Sequence, residues 1–130
     1  MNPIKSHTLF IIGFSFLAIV ISSCNLINSD NKIEGNKEGV YEGIYLQGIE
    51  DSWFHPCIDE EESWRPLLTE ETFAPIREAL SDAESYRVFV KAKGIPSKKG
   101  KYEGWLTEYD REFDITEIIE TRPTDSGKCP

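Results

Sequence analysis

Two cysteines that lie far apart in the chain, Cys57 and Cys129, could bond to each other or bind a metal ion. In an oxidising compartment such a pair favours a disulfide, which would stabilise a small domain by about 4 kcal/mol because the closed loop is long. The alternative is a metal site that adds His55 to the two thiolates. No CxxC or HxxxH spacing accompanies these residues, so a metal would lack a recognisable set of ligands. We expect a disulfide and no cofactor.

The other polar residues do not form a recognisable catalytic arrangement. The free serines fall in predicted turns, His55 adjoins Pro56 and Cys57, and no GxSxG or histidine–carboxylate spacing occurs. The acidic run at residues 59–62 could bind calcium, but it lacks the spaced oxygen ligands and the turn glycine of a calcium loop. It is more typical of a solvated acidic turn. The sequence therefore predicts a protein that is not an enzyme.

The third cysteine, Cys24, follows an apolar run and two serines. Residues 1–8 carry one lysine and residues 9–21 are mostly apolar, which is the pattern of a secretory signal. As a helix that apolar run would reach about 20 Å, less than the ~30 Å core of a bilayer, so a permanent transmembrane helix is disfavoured.

The segment Ile21-Ser22-Ser23-Cys24 resembles the bacterial lipobox, although leucine is more common where Ile21 stands. The resemblance implies that the Cys24 thiol takes a diacylglycerol before the signal is cleaved. We expect residues 1–23 to be a lipoprotein signal peptide. The acyl chains on Cys24 would then anchor the protein to a lipid bilayer, with its domain outside the cytoplasm of a bacterial cell. The side and identity of that membrane stay open.

Residues 24–38 have few large apolar side chains and many Asn, Lys and Glu, so we expect a flexible tether. Residues 39–130 then remain for a single small domain with a modest core. The whole chain has a formal net charge of −9, and the signal segment contributes no acidic residue. Because such a charge repels phosphate backbones, nucleic acid is not expected as a partner.

Residues 94–110 form a long connection that combines glycines with aromatic and basic side chains. Connections of this length inside a compact domain are usually functional or disordered. An anionic glycan or an acidic face of another envelope protein could dock on it. The alternative is that Trp105 and Tyr109 pack across the fold while the lysines solvate an edge. The candidate binding residues are Lys98, Lys99, Lys101, Tyr102 and Trp105.

The elements that position these residues are mainly strands, because apolar side chains mostly alternate along the chain. Residues 40–49 predict a long first strand with a bend or bulge at Gly43. Residues 52–58 predict a second strand, in which Pro56 requires an edge or a bulge. Residues 63–67 predict a third.

Residues 72–82 change to a helical period, with Thr72 as the cap and Pro75 tolerated in the first turn. A fourth strand follows at residues 86–93 and a fifth at residues 112–120. The helical stripe is Phe73, Ile76, Ala79 and Leu80, and the inward residues of the fourth strand are Tyr86, Val88, Val90 and Ala92.

Three strands, a helix and two further strands are the order of the OB-fold, a five-stranded Greek-key barrel with its helix between strands three and four. We therefore predict a mainly β, OB-like barrel, with an open α+β sheet as the alternative. In this fold the connection between strands four and five is one of the ligand-binding loops, which is where residues 94–110 lie.

The domain also resembles a group of small, largely uncharacterised bacterial lipoproteins. The shared pattern covers nearly the whole domain and ends with a cysteine close to the C-terminus. It reads Gly43-x-Tyr45-x-x-Gly48-x-Glu50-x-Ser52-x-Phe54-x-Pro56-Cys57, then Gly94-x-x-Ser97-x-x-Gly100, Gly104 and Tyr109-x-Arg111-x-Phe113.

A more distant similarity is to the OB-like C-terminal domain of NlpE-like envelope-stress lipoproteins. That family also has a copper-associated CxxC module, which this sequence lacks, so copper sensing is not implied. The resemblance implies an OB-like fold and an envelope setting. The sequence thus favours a lipid-anchored, non-enzymatic binding protein, with metal handling by His55, Cys57 and Cys129 as the alternative.

Overall fold

The computed structural model describes residues 33–130. The predicted signal peptide, Cys24 and residues 24–32 of the predicted tether lie outside the described residues. The elements, in chain order, are β1 (Gly39–Gln47), β2 (Ser52–Pro56), β3 (Trp64–Leu67), α1 (Glu70–Asp82), β4 (Arg87–Pro96), β5 (Tyr102–Glu103), β6 (Glu108–Tyr109) and β7 (Arg111–Pro123).

Five of the strands close into a barrel in the order β1-β2-β3-β7-β4. The first strand pairs with β2 on one side and with β4 on the other, both antiparallel, which closes the sheet. Strands β3 and β7 are paired in parallel. With one helix between β3 and β4, this is the predicted OB-like barrel, and the open α+β sheet is excluded.

Gly43 was predicted as a bend or a bulge, and the structure shows no bulge there. The register of β1 with β4 runs through Gly43 without interruption, and the pairing of β1 with β2 begins there, so Gly43 is not a bulge. A Cβ atom there would lie 2.4 Å from the Phe54 ring and 2.6 Å from the His55 carbonyl oxygen. The glycine therefore permits close packing inside the barrel. The register shifts lie instead between β4 and β7, next to Lys91 and Lys93.

Aromatic side chains fill the barrel. Trp64 from β3 contacts Phe113 from β7 and Tyr41 from β1, with ring centroids 5.1 Å and 5.2 Å apart. Phe54 from β2 lies 5.1 Å from Phe113. These edge-on and tilted contacts join four strands around one cluster, and Tyr45 is buried beside it.

The helix begins two residues earlier than predicted, at Glu70. Thr69 is its N-cap and forms a capping box with Thr72, so Thr72 is the third helical residue and not the cap. Pro75 lies within the helix. Its apolar stripe packs on the barrel as predicted, through Phe73, Ile76, Ala79 and Leu80. No helix among residues 33–130 is long and apolar enough to span a membrane.

The end of the predicted tether belongs to the domain. Ile33 is a buried member of the barrel core. The amide of Asn36 donates to the carbonyl oxygen of Pro96 at 2.7 Å, and Gly35 packs directly against the backbone of Lys98. Residues 33–38 are therefore held against the barrel, because the Ile33 side chain packs in its core. The composition of the segment alone did not indicate this contact.

The C-terminal segment lies across the outside of the barrel. A disulfide joins Cys57 to Cys129, with Cα atoms 5.7 Å apart, which confirms the predicted pairing. Phe89 alternates with the inward residues Val88 and Val90, yet it is only 4% exposed, because Arg122 stacks on its ring and residues 123–130 lie beside it. The disulfide therefore holds a cover over an apolar outer face.

Candidate binding surface

The disulfide bears on the alternative metal site. Both thiols are consumed in the bond, and the Nδ1 atom of His55 lies 3.0 Å from the carbonyl oxygen of Glu62. Residues 33–130 contain no group of three or more His, Cys, Asp or Glu side chains arranged to hold a metal ion. In this oxidised form the three predicted ligands do not offer a thiolate donor.

The acidic run at residues 59–62 is not wholly a solvated turn, because Glu62 is buried. Its Oε2 atom accepts hydrogen bonds from Trp64 Nε1 at 2.7 Å and from Arg111 Nε at 3.0 Å. Lys99 lies 3.5 Å from the other carboxylate oxygen. One charged side chain of the turn therefore points inward and forms a buried ion pair with Arg111 of β7. The sequence did not indicate this ion pair.

The environment of Glu62 keeps it ionised. Burial alone would raise its pKa, but hydrogen bonds from Trp64 and Arg111, and the charges of Arg111 and Lys99, together lower it below the ordinary value. No buried side-chain polar atom of the described residues lacks a hydrogen-bond partner. This network is therefore satisfied internally, and it links Glu62 to Trp64 of β3 and Arg111 of β7.

The long connection after β4 folds into the hairpin β5–β6. At its base the amide of Gly100 donates to the carbonyl oxygen of Asp110, and Tyr102 is paired with Tyr109. At its tip the amide of Gly104 donates to the carbonyl oxygen of Thr107 and closes a tight turn. Lys98, Lys99 and Lys101 lie at the base of this hairpin, whereas Trp105 lies at its tip. The structure thus places the candidate lysines and the candidate tryptophan at opposite ends of one element.

The basic stretch is partly neutralised where it lies. Lys91 and Lys93 pair with Glu42 and Glu38 on the wall of the barrel, at 3.9 Å and 3.3 Å, and Lys99 pairs with Glu62. Lys98 and Lys101 are exposed and make no salt bridge among residues 33–130. Tyr102 caps this base by donating its hydroxyl to the carbonyl oxygen of Lys98 at 2.7 Å.

The aromatic residues of the hairpin have two different roles. Tyr109 is buried and donates its hydroxyl to the carbonyl oxygen of Ser52 at 2.7 Å. Burial and the nearby Asp51 carboxylate raise the pKa of Tyr109 to about 12. Packing across the fold was the alternative prediction for this residue and for Trp105, and it is correct for Tyr109 only. Trp105 stays exposed to solvent.

Asp51 fixes the hairpin tip in place. Its carboxylate, in the loop between β1 and β2, accepts hydrogen bonds from the amides of Trp105 at 3.0 Å and Leu106 at 2.7 Å. Both donors are backbone groups, so the two large side chains remain free. The tip is thereby docked beside the β1–β2 loop with its apolar side chains presented outward.

The most exposed apolar side chains of the described residues lie in the β1–β2 loop and in two segments that contact this part of the chain. Tyr86, the residue before β4, lies beside the β1–β2 loop, because the amide of Gln47 donates to its carbonyl oxygen at 3.1 Å. A cavity of about 330 Å³ is lined by Gln47, Gly48, Ile49 and Tyr86. We call the set the apical patch: Ile49 (100% exposed), Trp105 (76%), Leu106 (75%) and Tyr86 (70%).

Tyr86 was predicted to face inward, and that prediction is wrong. It adopts a positive φ of 51°, a conformation that costs a residue with a Cβ atom about 1 kcal/mol or more. The turn rotates the side chain into solvent just before the alternation of β4 begins. Backbone strain of this kind clusters at functional sites, which makes Tyr86 a candidate for the binding surface.

Of the apical patch, the sequence indicated only Trp105. Ile49, Tyr86 and Leu106 were overlooked, because an apolar residue near a strand end is ordinarily assigned to the core. The available signal was the adjacent pair Trp105–Leu106 in the middle of a turn, where no buried partner is expected.

Comparisons with protein families, with curated proteins and with solved structures found no match for this chain. The fold therefore defines the class: an OB-like closed barrel. Two of its loops, β1–β2 and the β4–β7 connection, meet through Asp51 and carry the candidate surface.

Proposed function

We propose that this protein is a bacterial envelope lipoprotein, anchored to a membrane through acylated Cys24, whose barrel is a non-enzymatic binding domain for an envelope polymer or a partner protein. The observation that carries the binding role is the apical patch. Large apolar side chains held in solvent by an ordered loop are unfavourable unless another surface covers them.

The anchoring part of the proposal rests on the sequence. The chain between Cys24 and Ile33 can extend at most about 30 Å, so a domain tethered there would stay close to the bilayer surface. The partner would then be another component at or near that surface. The metal-handling alternative is less well supported, because it needs both thiols of the Cys57–Cys129 pair to be free.

The anchoring is tested by substituting Cys24 with Ala. We expect a longer, unprocessed precursor that no longer incorporates labelled fatty acid, because the thiol that receives the lipid is gone. The matched control is Ser23→Ala, which keeps a small residue in the lipobox and should be processed normally. A Cys24→Ala protein that is still cleaved and still partitions into detergent would contradict the proposal.

The binding role is tested by placing a photo-crosslinking amino acid at Leu106 in intact cells. We expect a defined crosslinked product, because Leu106 is exposed and would lie in the interface. The control position is Ala74, which is exposed on the helix. Equal products at both positions would indicate random collisions and would count against the apical patch as the binding site.

A further inference from the structure

Acidic side chains that lack a cationic partner surround the apical patch. Glu50 follows Ile49, Glu84 lies two residues before Tyr86, and Glu103 and Glu108 flank the hairpin tip. All four are exposed, and among residues 33–130 none of them forms a salt bridge. Uncompensated negative charge therefore surrounds the exposed apolar surface.

The wall of the barrel is different. There Glu38 and Glu42 pair with lysines of β4, and Glu112 and Glu120 pair with arginines. Glu117 of β7 is exposed and forms no salt bridge among residues 33–130. The four glutamates around the apical patch thus lack the cationic partner that most glutamates of the barrel wall have.

Two of the unpaired glutamates face each other. Glu103 and Glu108 are direct cross-strand partners in the hairpin, and like charges in that position destabilise a sheet. Neither carboxylate forms an ion pair with Arg65, which donates to the backbone carbonyl oxygen of Glu103 at 3.4 Å and pairs with Glu112 at 3.7 Å. A lysine at either position would remove the repulsion within the protein itself.

Because exposed apolar and acidic side chains lie next to each other here, we infer that the apical patch binds a cationic segment of a partner protein. That segment would present Lys or Arg next to apolar side chains. The apolar groups of the partner would cover Trp105, Leu106 and Ile49, and its cations would lie between Glu103 and Glu108. The inference rests on the proposed function and adds the chemistry of the partner. It differs from an acidic partner docking on the hairpin lysines.

Other occupants fit the surface less well. The headgroups of anionic lipids and anionic glycans would be repelled by the glutamates that surround the patch. A second copy of the chain would bring the same glutamates against each other. A cationic segment alone satisfies both the apolar and the acidic groups.

The test is calorimetric titration of the full chain, purified in a non-ionic detergent, with synthetic peptides. The first probe alternates lysine with leucine, the second replaces its lysines with glutamates, and the third replaces its leucines with serines. We expect the lysine–leucine peptide alone to bind measurably, with an affinity that falls as salt is added.

Glu108→Lys is the decisive variant. It places a cation opposite Glu103, so we expect the melting temperature to rise slightly while the affinity for the lysine–leucine peptide falls about tenfold. Glu78→Lys, an exposed position on the helix without a salt bridge in the described chain, makes the same charge change and should leave the affinity unchanged. Leu106→Ser should also weaken binding.

The possible failures are distinguishable. If Leu106→Ser weakens peptide binding but Glu108→Lys does not, the patch is a binding site and the cationic chemistry is wrong. If neither variant differs from Glu78→Lys, both the inference and the proposed site fail. A third failure is that the lysine–leucine peptide does not bind but the protein binds neutral lipid vesicles or associates with itself. If Leu106→Ser abolishes that binding, the occupant of the patch is a membrane or a second copy of the chain and not a cationic segment.

Discussion

At the scale of single residues, burial separates three tryptophans that the sequence presents as similar. Trp64 is fully buried in the barrel, Trp53 is half-buried on β2, and Trp105 is mostly exposed on the hairpin tip. Their substitution should therefore have different consequences, because the free energy of burying an aromatic side chain is available only where water is excluded.

We predict that Trp105→Ala changes the free energy of unfolding by less than about 0.5 kcal/mol, because its ring has little contact to lose. Trp64→Ala should cost about 3–5 kcal/mol, because it leaves a cavity in the core and removes a hydrogen bond to Glu62. Urea denaturation of both variants measures this. A large loss of stability in Trp105→Ala would assign that side chain to the core instead of the apical patch.

Glu62 gives a second prediction. Glu62→Gln leaves the buried Arg111 without its charge partner, so we expect a loss of about 3 kcal/mol in the free energy of unfolding at neutral pH. The neighbouring Glu61 is exposed, and Glu61→Gln should be close to neutral. Chemical denaturation of the two variants beside the wild type compares them directly.

The same residue predicts a pH dependence. The folded pKa of Glu62 is lowered from the ordinary value of 4.5. Its stabilising contribution is therefore fully present above that pH and is lost as the pH falls through the folded value. The stability difference between wild type and Glu62→Gln should narrow on acidification below about pH 4.5. A difference that stays constant would show that the carboxylate charge is not responsible.

At the scale of elements, the hairpin β5–β6 depends on a loop that is distant in sequence. Asp51 supplies both oxygens that hold the tip, so the orientation of the apical patch is decided by two elements together. The base of the hairpin is held separately, by Gly100 and by the buried Tyr109. Loss of Asp51 should free the tip without unfolding the base.

We predict that Asp51→Ala speeds amide hydrogen exchange at Trp105 and Leu106 while the melting temperature changes little. The amides of Tyr102 and Tyr109 serve as internal references, because they lie on the rungs nearer the base. Asp51→Asn keeps one acceptor oxygen and should give an intermediate exchange rate. Unchanged exchange at the tip in Asp51→Ala would mean that the hairpin is ordered by its own turn.

At the scale of the whole molecule, the disulfide links the end of β2 to the C-terminal segment across 72 residues. That segment lies beside Phe89 on the outer wall, where it shares a cavity of about 190 Å³ with Arg122 and Cys129. The bond therefore lowers the conformational entropy of the unfolded chain, and it also keeps the C-terminal segment packed over the apolar Phe89 side chain.

We predict that reduction lowers the melting temperature, since a loss of even 2 kcal/mol shifts a domain of this size by roughly 10 °C. The double variant Cys57→Ala/Cys129→Ala should melt near the reduced wild type and should be insensitive to reductant. No change in melting on reduction would mean that the cover and the loop constraint contribute nothing measurable.

The sequence by itself determined the OB-like order of strands, the position of the helix and the pairing of the two cysteines. These follow from local periodicity and from the count of thiols, which are readable along the chain. It also marked residues 94–110 as a candidate binding connection, because they are too long for a simple turn.

Only the tertiary structure decided which side chains of that connection are free. Tyr109 and Trp105 are both aromatic and four residues apart. Tyr109 is buried and donates its hydroxyl to the carbonyl oxygen of Ser52, whereas Asp51 binds the backbone amide of Trp105 and leaves its ring at the surface. Ile33 and Glu62 were misassigned for the same reason, since their burial depends on partners distant in sequence, the barrel core and Arg111. Local pattern specifies elements, whereas burial and exposure depend on which distant groups the fold brings together.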